Sequence, residues 1–412
     1  MAVPNTMEPL AWLRKHLEED GSDLLREMIR EFAEQLMAAE AQGLCNAGYG
    51  EVSTERVNFR NGYRPREMDT RVGTIEVAIP KLRRGSYFPE WLLEPRRRAE
   101  QALTQVVCQC YVEGVSTRRV DDIVKTLGIE GISRSQVSRL AKTLDATVEA
   151  FRSRPLDAGP YTYVWVDALT QKVREGGRIV NVACVIATGV NANGSREVLG
   201  MDVITTEDGA GWLAFLRSLV ARGLSGVQLV ISDAHEGLKG AIEAVLAGAS
   251  WQRCRTHAMR NLLTKVPKSS QSMVATLVRT IFEQPDGEQV WAQHTRVVDQ
   301  LRHRFAEVAT MLVDMAPDLL AFTAFPTEHW SAIRSNNPQE RLNKEVRRRT
   351  DVVGIFPNRA AVIRLVGAVL AEQHDEWAVA RRYMSAESLN RARMRLVDCE
   401  REEALPELEA AV

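Results

Sequence analysis

Two aspartates close short apolar runs in this chain: Asp167 ends "YVWVD" and Asp233 ends "VQLVISD". Such runs read as β-strands, and carboxylates at the ends of neighbouring strands converge on one edge of a sheet. Held a few ångströms apart, two carboxylates repel unless one is protonated or cations bridge them. Oxygen-only ligands favour Mg2+ or Mn2+. A pair of such ions can activate an attacking oxygen and stabilise a leaving one in phosphoryl transfer. Either aspartate alone reads better as a cap of its strand or of the helix that follows.

A third acid, Glu340, sits in "SNNPQERLNKEVRRRTDVVGIFPN", residues 335–358. The expected helix starts with Asn337 as N-cap and Pro338 in the first helical position, so Glu340 completes a capping-box-like start. On a helical wheel Glu340, Asn343, Lys344 and Arg347 share one face, with Leu342 and Val346 roughly opposite. The acid of that stripe can ligate a metal while Asn343 and the cations Lys344 and Arg347, with Arg348, contact DNA, the cations at its phosphates. Glu345 lies about 140° around the helix from Glu340, so the two cannot both face the aspartates.

"WQRCRTH" sets Cys254 and His257 at C-x-x-H spacing. Zinc would call for a second ligand pair, and His235 and His294 come without cysteine partners, so the spacing alone does not make a zinc site. By default Cys254 and His257 read as buried structure; as the alternative both are candidate DNA contacts, His257 donating to a phosphate with Arg253, Arg255 and Arg260 alongside.

The elements that must position these groups follow a change of pattern near "FRSRPLDAGP", which reads as a linker. Beyond it "YTYVWVDA", "GRIVNVACVIATGV" and "REVLGMDVITTE" are strands, "GAGWLAFLRSLVARGL" a helix, "GVQLVISDA" a buried strand and "HEGLKGAIEAVLA" a helix, with "SWQRCR" a short fifth strand. That order is that of a ribonuclease-H-like α/β core. Residues 257–330 read as an all-helical insertion, 331–385 as completion of the core that starts at 158–256, and 386–412 as a polar tail.

Before the linker, "GVSTRRVDDIVKTLGIEGISRSQVSRLAKTLDATVEAF" has the helix-turn-helix pattern. Ser116 or Thr117 caps a first helix. Gly128–Ile132 makes the turn, and Ser133 caps a second helix with Val137, Leu140 and Leu144 inward. Arg134, Gln136 and Arg139 then face outward, able to reach base edges or phosphates. Just upstream, residues 55–120 carry 13 Arg/Lys against 8 Asp/Glu, a local net of 13 − 8 = +5. Arg60, Arg64 and Arg66 interleave there with Phe59 and Tyr63, and Arg96, Arg97 and Arg98 follow. Residues 51–150 thus read as a DNA-binding region. Residues 1–50 read as helical, a hairpin on their own domain or a dimerisation element.

Bulk composition leaves the question of partners to these local features, since 53 basic and 54 acidic residues among 412 give a net charge of −1. The six cysteines form no framework, which points to a reducing compartment. With neither a signal pattern nor a membrane-length apolar run, the expectation is a cytoplasmic protein with no membrane contact.

The chain resembles the bacterial mutator-type insertion-sequence transposases nearly end to end. The resemblance is carried by "RNGYRPREMDTRVGTIEVAIPKLRRGSYFP", "GVSTRRVDDIVKTLG", "ISRSQVSRL", "VWVDA", "LVISDAHEGL", "WQRCRTHAMRNLL" and "NNPQERLNKEVRRRTDVVGIFPN". It implies a DDE triad falling on Asp167, Asp233 and Glu340, with the family's cysteine–histidine motif on Cys254 and His257. It further implies Mg2+ or Mn2+, two ions, as cofactor and strand cleavage followed by strand transfer without a covalent protein–DNA intermediate. The partners implied are terminal inverted repeats, target DNA and further copies of the chain in a dimer or higher assembly. A bacterial, nucleoid-associated location goes with them.

Overall fold

The computed structural model describes residues 24–394 except 49, 71–72, 93–100, 127–131 and 206–207. Residues 1–23, Arg96–Arg98, most of the expected turn and the end of the tail lie outside the described residues, as does the Arg134 side chain. The chain divides into two compact units between Thr143 and Leu144.

In the N-terminal unit, α1 (Leu24–Cys45) lies on a hairpin of β1 (Arg60–Thr70) and β2 (Gly73–Leu82). Met37 of the helix and Met68, Ile75, Val77 and Ile79 of the ribbon form its core. Pro65 and Pro80 are tolerated because a two-stranded ribbon has only edges. Three further helices follow, α2 (Gln101–Val112), α3 (Thr117–Thr126) and α4 (Arg134–Ala141), around Val107, Val120, Val124, Ile132, Val137 and Leu140. Ser116 Oγ accepts from Arg119 N at 3.3 Å at the head of α3. Ser133 caps α4 with a full capping box, its own N–H donating to Gln136 Oε1 at 2.7 Å. The second helix is shorter than expected: it ends at Ala141, and Leu144 opens a separate helix instead of filling its inner face.

The C-terminal unit starts with that helix, α5 (Leu144–Ser153), which takes in the first residues of the expected linker. Five strands follow: β3 (Tyr163–Glu175), β4 (Arg178–Val190), β5 (Arg196–Ile204), β6 (Leu229–Ser232) and β7 (Ser250–Arg253). Their spatial order is β5-β4-β3-β6-β7, with β4 antiparallel to its neighbours and β6 and β7 parallel to β3. Helices α6 (Gly209–Ala221) and α7 (Glu236–Val245) join β5 to β6 and β6 to β7. Residues 182–190 of β4 are all buried, as expected of a central strand covered on both faces.

Strand alternation sorts the two faces. Val164, Val166 and Val230 pack under α6 and α7 with Trp212, Phe215 and Ile242. Tyr163, Trp165, Leu229 and Ile231 point the other way, into the helices that follow β7. Those are α8 (Arg255–Thr264), α9 (Lys268–Ile281), α10 (Gly287–Arg302), α11 (Ala306–Leu319) and the short α12 (Trp330–Ile333). The region from 257 to 330 is thus helical as read, with two 3-10 turns. The chain returns to the sheet as α13 (Asn337–Val353) and closes with α14 (Arg359–Val379). Residues 386–394 add a last helical stretch with Leu389 and Ala392 buried. Among the described residues no single helix is long and apolar enough to cross a membrane.

Candidate functional site

The pairing of β3 with β6 decides where the two aspartates go. Tyr163 stands opposite Leu229, Val164 opposite Val230 and Trp165 opposite Ile231. The same register carried two residues further sets Asp167 beside Asp233. Asp167 shares the parity of Trp165 and so faces the helical layer, and Asp233, just past the end of β6, has its Oδ1 4.0 Å from His257 Nδ1 on α8. Asp167 does not end its strand, as the sequence suggested: β3 runs on to Glu175, paired with β4 throughout. What ends is its neighbour, β6, at Ser232. From Val166 onward β3 has a free edge, and α13 fills it.

The entry to α13 is fixed by Asn336. It is fully buried, its Nδ2 reaches Val166 O at 3.4 Å, and its backbone N–H donates to Cys254 Sγ at 3.2 Å. Asn336, not Asn337, is therefore the N-cap, and no side-chain cap bond forms, so the expected capping box with Glu340 is absent. Gly354, at a φ of 69°, ends the helix and turns the chain back. Phe356 then bonds to the same free edge, its N–H to Lys172 O and its C=O from Arg174 N.

Between these anchors the buried face of α13 presents Gln339, Leu342, Asn343, Val346 and Thr350. Gln339 Oε1 accepts from Thr188 Oγ1 at 2.7 Å. Asn343 Nδ2 donates to Asp167 Oδ2 at 2.6 Å. This corrects the wheel: Asn343 lies at the margin of the face shared by Leu342 and Val346, where it holds Asp167 and is shut off from any DNA surface. Gln339 and Asn336 were missed in the sequence, although Gln339 falls at the helical spacing that makes it a neighbour of Leu342 and Asn343. Lys344, Arg347 and Arg348 are exposed as expected. Glu345 is tied to Arg349 (2.6 Å) and Arg348 (3.2 Å), away from the aspartates. Glu340 is half-buried on the side of Asp167, whose ionisation it opposes.

The Asp167 carboxyl is pushed up to about 6, chiefly by burial, with the charges of Asp233 and Glu340 adding to the effect. Ala168 N, at 2.9 Å from Oδ1, and the positive field of His257 work against it. Asp233 is more open and accepts from Ala234 N at 2.7 Å. His257 Nδ1 lies 4.0 Å from Asp233 Oδ1, too far for a hydrogen bond. The Cys254 sulfur beside it raises the imidazole to about 9 against burial, which lowers it. Burial would push the Cys254 thiol up, but His257 and the Asn336 N–H outweigh it, and the net direction is down. The thiol is fully buried, so Cys254 cannot touch DNA as the sequence reading had it. Ligand atoms of Cys254, His257 and Glu340 lie within 4.8 Å of one another.

A carboxylate pair beside a third acid, on a mixed α/β sheet, defines a candidate phosphoryl-transfer centre. The sequence matches the family described as "Transposase, Mutator family" over residues 2–380. It is 61% identical over 388 residues to the transposase of insertion sequence IS1081 from Mycobacterium tuberculosis, covering 94% of both chains. It is 36% identical over 362 residues to that of IS256 in transposon Tn4001 from Staphylococcus aureus, covering 87% of this chain and 92% of the relative. A solved Drosophila P element transposase strand transfer complex aligns over 70% of the chain at 13% identity and a TM-score of 0.29, too slight a likeness to argue from. The chain belongs to the Mutator family of transposases. It is an enzyme of DNA transposition, cleaving and transferring DNA strands.

Enzymes of this family generally use a divalent metal. The donors here suit one: three carboxylates, one of them buried and with its carboxyl pushed up to about 6, so that ionising it costs free energy that a bound cation would offset.

Proposed function

We propose that Asp167, Asp233 and Glu340 are the catalytic, metal-holding acids of a ribonuclease-H-like core that cuts at the ends of an insertion sequence and joins the freed ends to target DNA. The observation that supports this reading best is the Asp167 carboxyl, held by Asn343 of α13 and acted on by the charges of both Asp233 and Glu340. The strand order, three antiparallel strands followed by two parallel ones, supports the ribonuclease-H-like assignment. Two Mg2+ or Mn2+ ions would supply activation of the attacking oxygen and charge relief at the leaving one. The protein's own part is to hold the carboxylates. Asn343 and the Ala168 N–H fix both oxygens of Asp167, and the Ala234 N–H fixes Asp233. Lys344, Arg347 and Arg348, exposed on the same helix, contact the phosphates of the DNA.

In the same reading 158–256 and 331–385 form the core around the insertion 257–330. Residues 51–150, with α3 and α4 as a helix-turn-helix, recognise the terminal inverted repeats through Arg134, Gln136 and Arg139. Residues 1–50 support assembly of the dimer that pairing of two ends demands. On α1, Leu25, Met28, Phe32 and Leu36 form an exposed stripe at helical spacing, separate from the face that covers the ribbon. A second copy of that stripe is the partner it fits. The site of action is the bacterial nucleoid.

The test is cleavage and joining of a labelled duplex carrying the element end, with Mg2+ or chelator. Wild type is expected to cleave and join only with metal, Glu340→Gln to do neither, and Glu345→Gln to do both. An active Glu340→Gln protein overturns the triad. Cleavage without joining makes the protein a nuclease in this assay and overturns the strand-transfer step.

A further inference from the structure

We infer that Cys254, His257 and Glu340 form a second metal site, which takes a thiolate-seeking cation such as Zn2+ and in doing so draws Glu340 away from the aspartates. The inhibitory consequence rests on the catalytic reading of Glu340, whereas the binding does not.

The sequence offers only a C-x-x-H pair, and the fold adds a third ligand. Cys254 is the N-cap of α8, its N–H held by Ser232 O at 2.8 Å. One helical turn later His257 returns to the same side. The head of α13 reaches this point because Asn336 packs on the Cys254 sulfur, and Glu340 follows one turn on. The three ligand atoms lie within 4.8 Å of one another. Around tetrahedral zinc, with bonds of about 2.0–2.3 Å, they would stand roughly 3.3–3.8 Å apart. Side-chain rotation of His257 or Glu340 by about 1 Å covers the difference.

Two further features mark this as a ligand position. His257 Nδ1 and Asn336 Oδ1 are buried polar atoms without a hydrogen-bond partner. The Asn336 N–H to Sγ bond of 3.2 Å is the kind of outer hydrogen bond that supports a metal thiolate. Sulfur and imidazole nitrogen select zinc over magnesium, whereas the carboxylates of Asp167 and Asp233 suit the harder ion. Glu340 stands between the two ligand fields and can serve one at a time. Binding releases to solvent the proton that the His257 imidazolium carries on its ligating nitrogen, and the thiol proton where one is present, and leaves the fourth position to water or to Asp233.

Co2+ added to the full-length, metal-free protein tests the site by its spectrum. The wild type is expected to show a thiolate-to-cobalt band in the near ultraviolet that one equivalent of Zn2+ removes and Cys254→Ser lacks. Absence of the band in the wild type, which needs no variant, overturns the site. Removing even an outer partner of a metal ligand weakens binding roughly 10- to 100-fold, so Glu340→Gln should keep the band but bind Co2+ at least tenfold more weakly. Unchanged affinity removes Glu340 from the site. Zn2+ should inhibit Mg2+-dependent cleavage by the wild type over the same concentration range in which it removes the cobalt band. Inhibition that sets in only well above that range, or none, overturns the competition. A cobalt band together with a cleaving Glu340→Gln protein would sink the catalytic reading and leave the metal site standing.

Discussion

Asp167→Asn should stabilise the metal-free protein, by an amount that depends on pH. The Asp167 carboxyl is pushed from 3.8 to about 6, mainly by burial. Well below pH 3.8 it is protonated both folded and unfolded, and burial carries no ionic penalty. As the pH rises past 3.8 the unfolded chain ionises first, so stability falls until the folded group also ionises above about 6. At 1.36 kcal/mol per pH unit this comes to about 3 kcal/mol at pH 7.5. Asparagine escapes that penalty but offers one acceptor where the carboxylate serves both Asn343 and Ala168. One lost hydrogen bond returns about 1 kcal/mol, leaving a gain of about 2 kcal/mol. In a unit of this size that corresponds to a rise in Tm of roughly 4 °C. The assay is thermal and urea unfolding of wild type and variant in chelator, at pH 4.5 and 7.5. The variant should gain at pH 7.5 and gain little or lose at pH 4.5, while added Mg2+ should stabilise only the wild type. A variant no more stable than wild type at pH 7.5, or an advantage that does not grow with pH, would refute the view that an uncompensated buried charge sits at this site.

Three further outcomes follow from the geometry. Arg347→Ala should lower the slope of log K for DNA binding against log salt by about 1, while Arg348→Ala, whose guanidinium already pairs with Glu345, should lower it less; unchanged slopes for both would remove them as phosphate contacts. Gln136→Ala breaks the α4 capping box and should cost about 1 kcal/mol of stability, whereas the exposed Arg139→Ala should leave melting unchanged and weaken binding to the element end, as read by denaturation and by gel shift. Phe32→Glu on the exposed stripe of α1 should shift the protein toward monomer in light scattering without unfolding it, and an unchanged mass would show that some other surface pairs the copies.

Much of the architecture was legible because hydrophobic period is local. The continuous apolar run of β4, the alternation of β3 and the helical stretch after β7 each follow from which neighbours their side chains must bury. Errors fell where two elements meet. Asn337 and Asn336 are equally good caps in sequence, and only the pocket formed by Val166 and Cys254 selects the second. Asn343 reads as an outward amide until Asp167 stands opposite it.

The sequence alone determined the chemical inventory: two acids following β-strand runs, a third in a basic helix, and a C-x-x-H pair. It also determined the parity by which Trp165 and Asp167 share a face. Tertiary structure decided which acids meet. The register between β3 and β6, the early end of β6 and the seating of α13 on the edge it leaves free are properties of pairs of elements far apart in the chain. No periodicity within a single element encodes them, because the free energy that fixes them is that of burying one element against another.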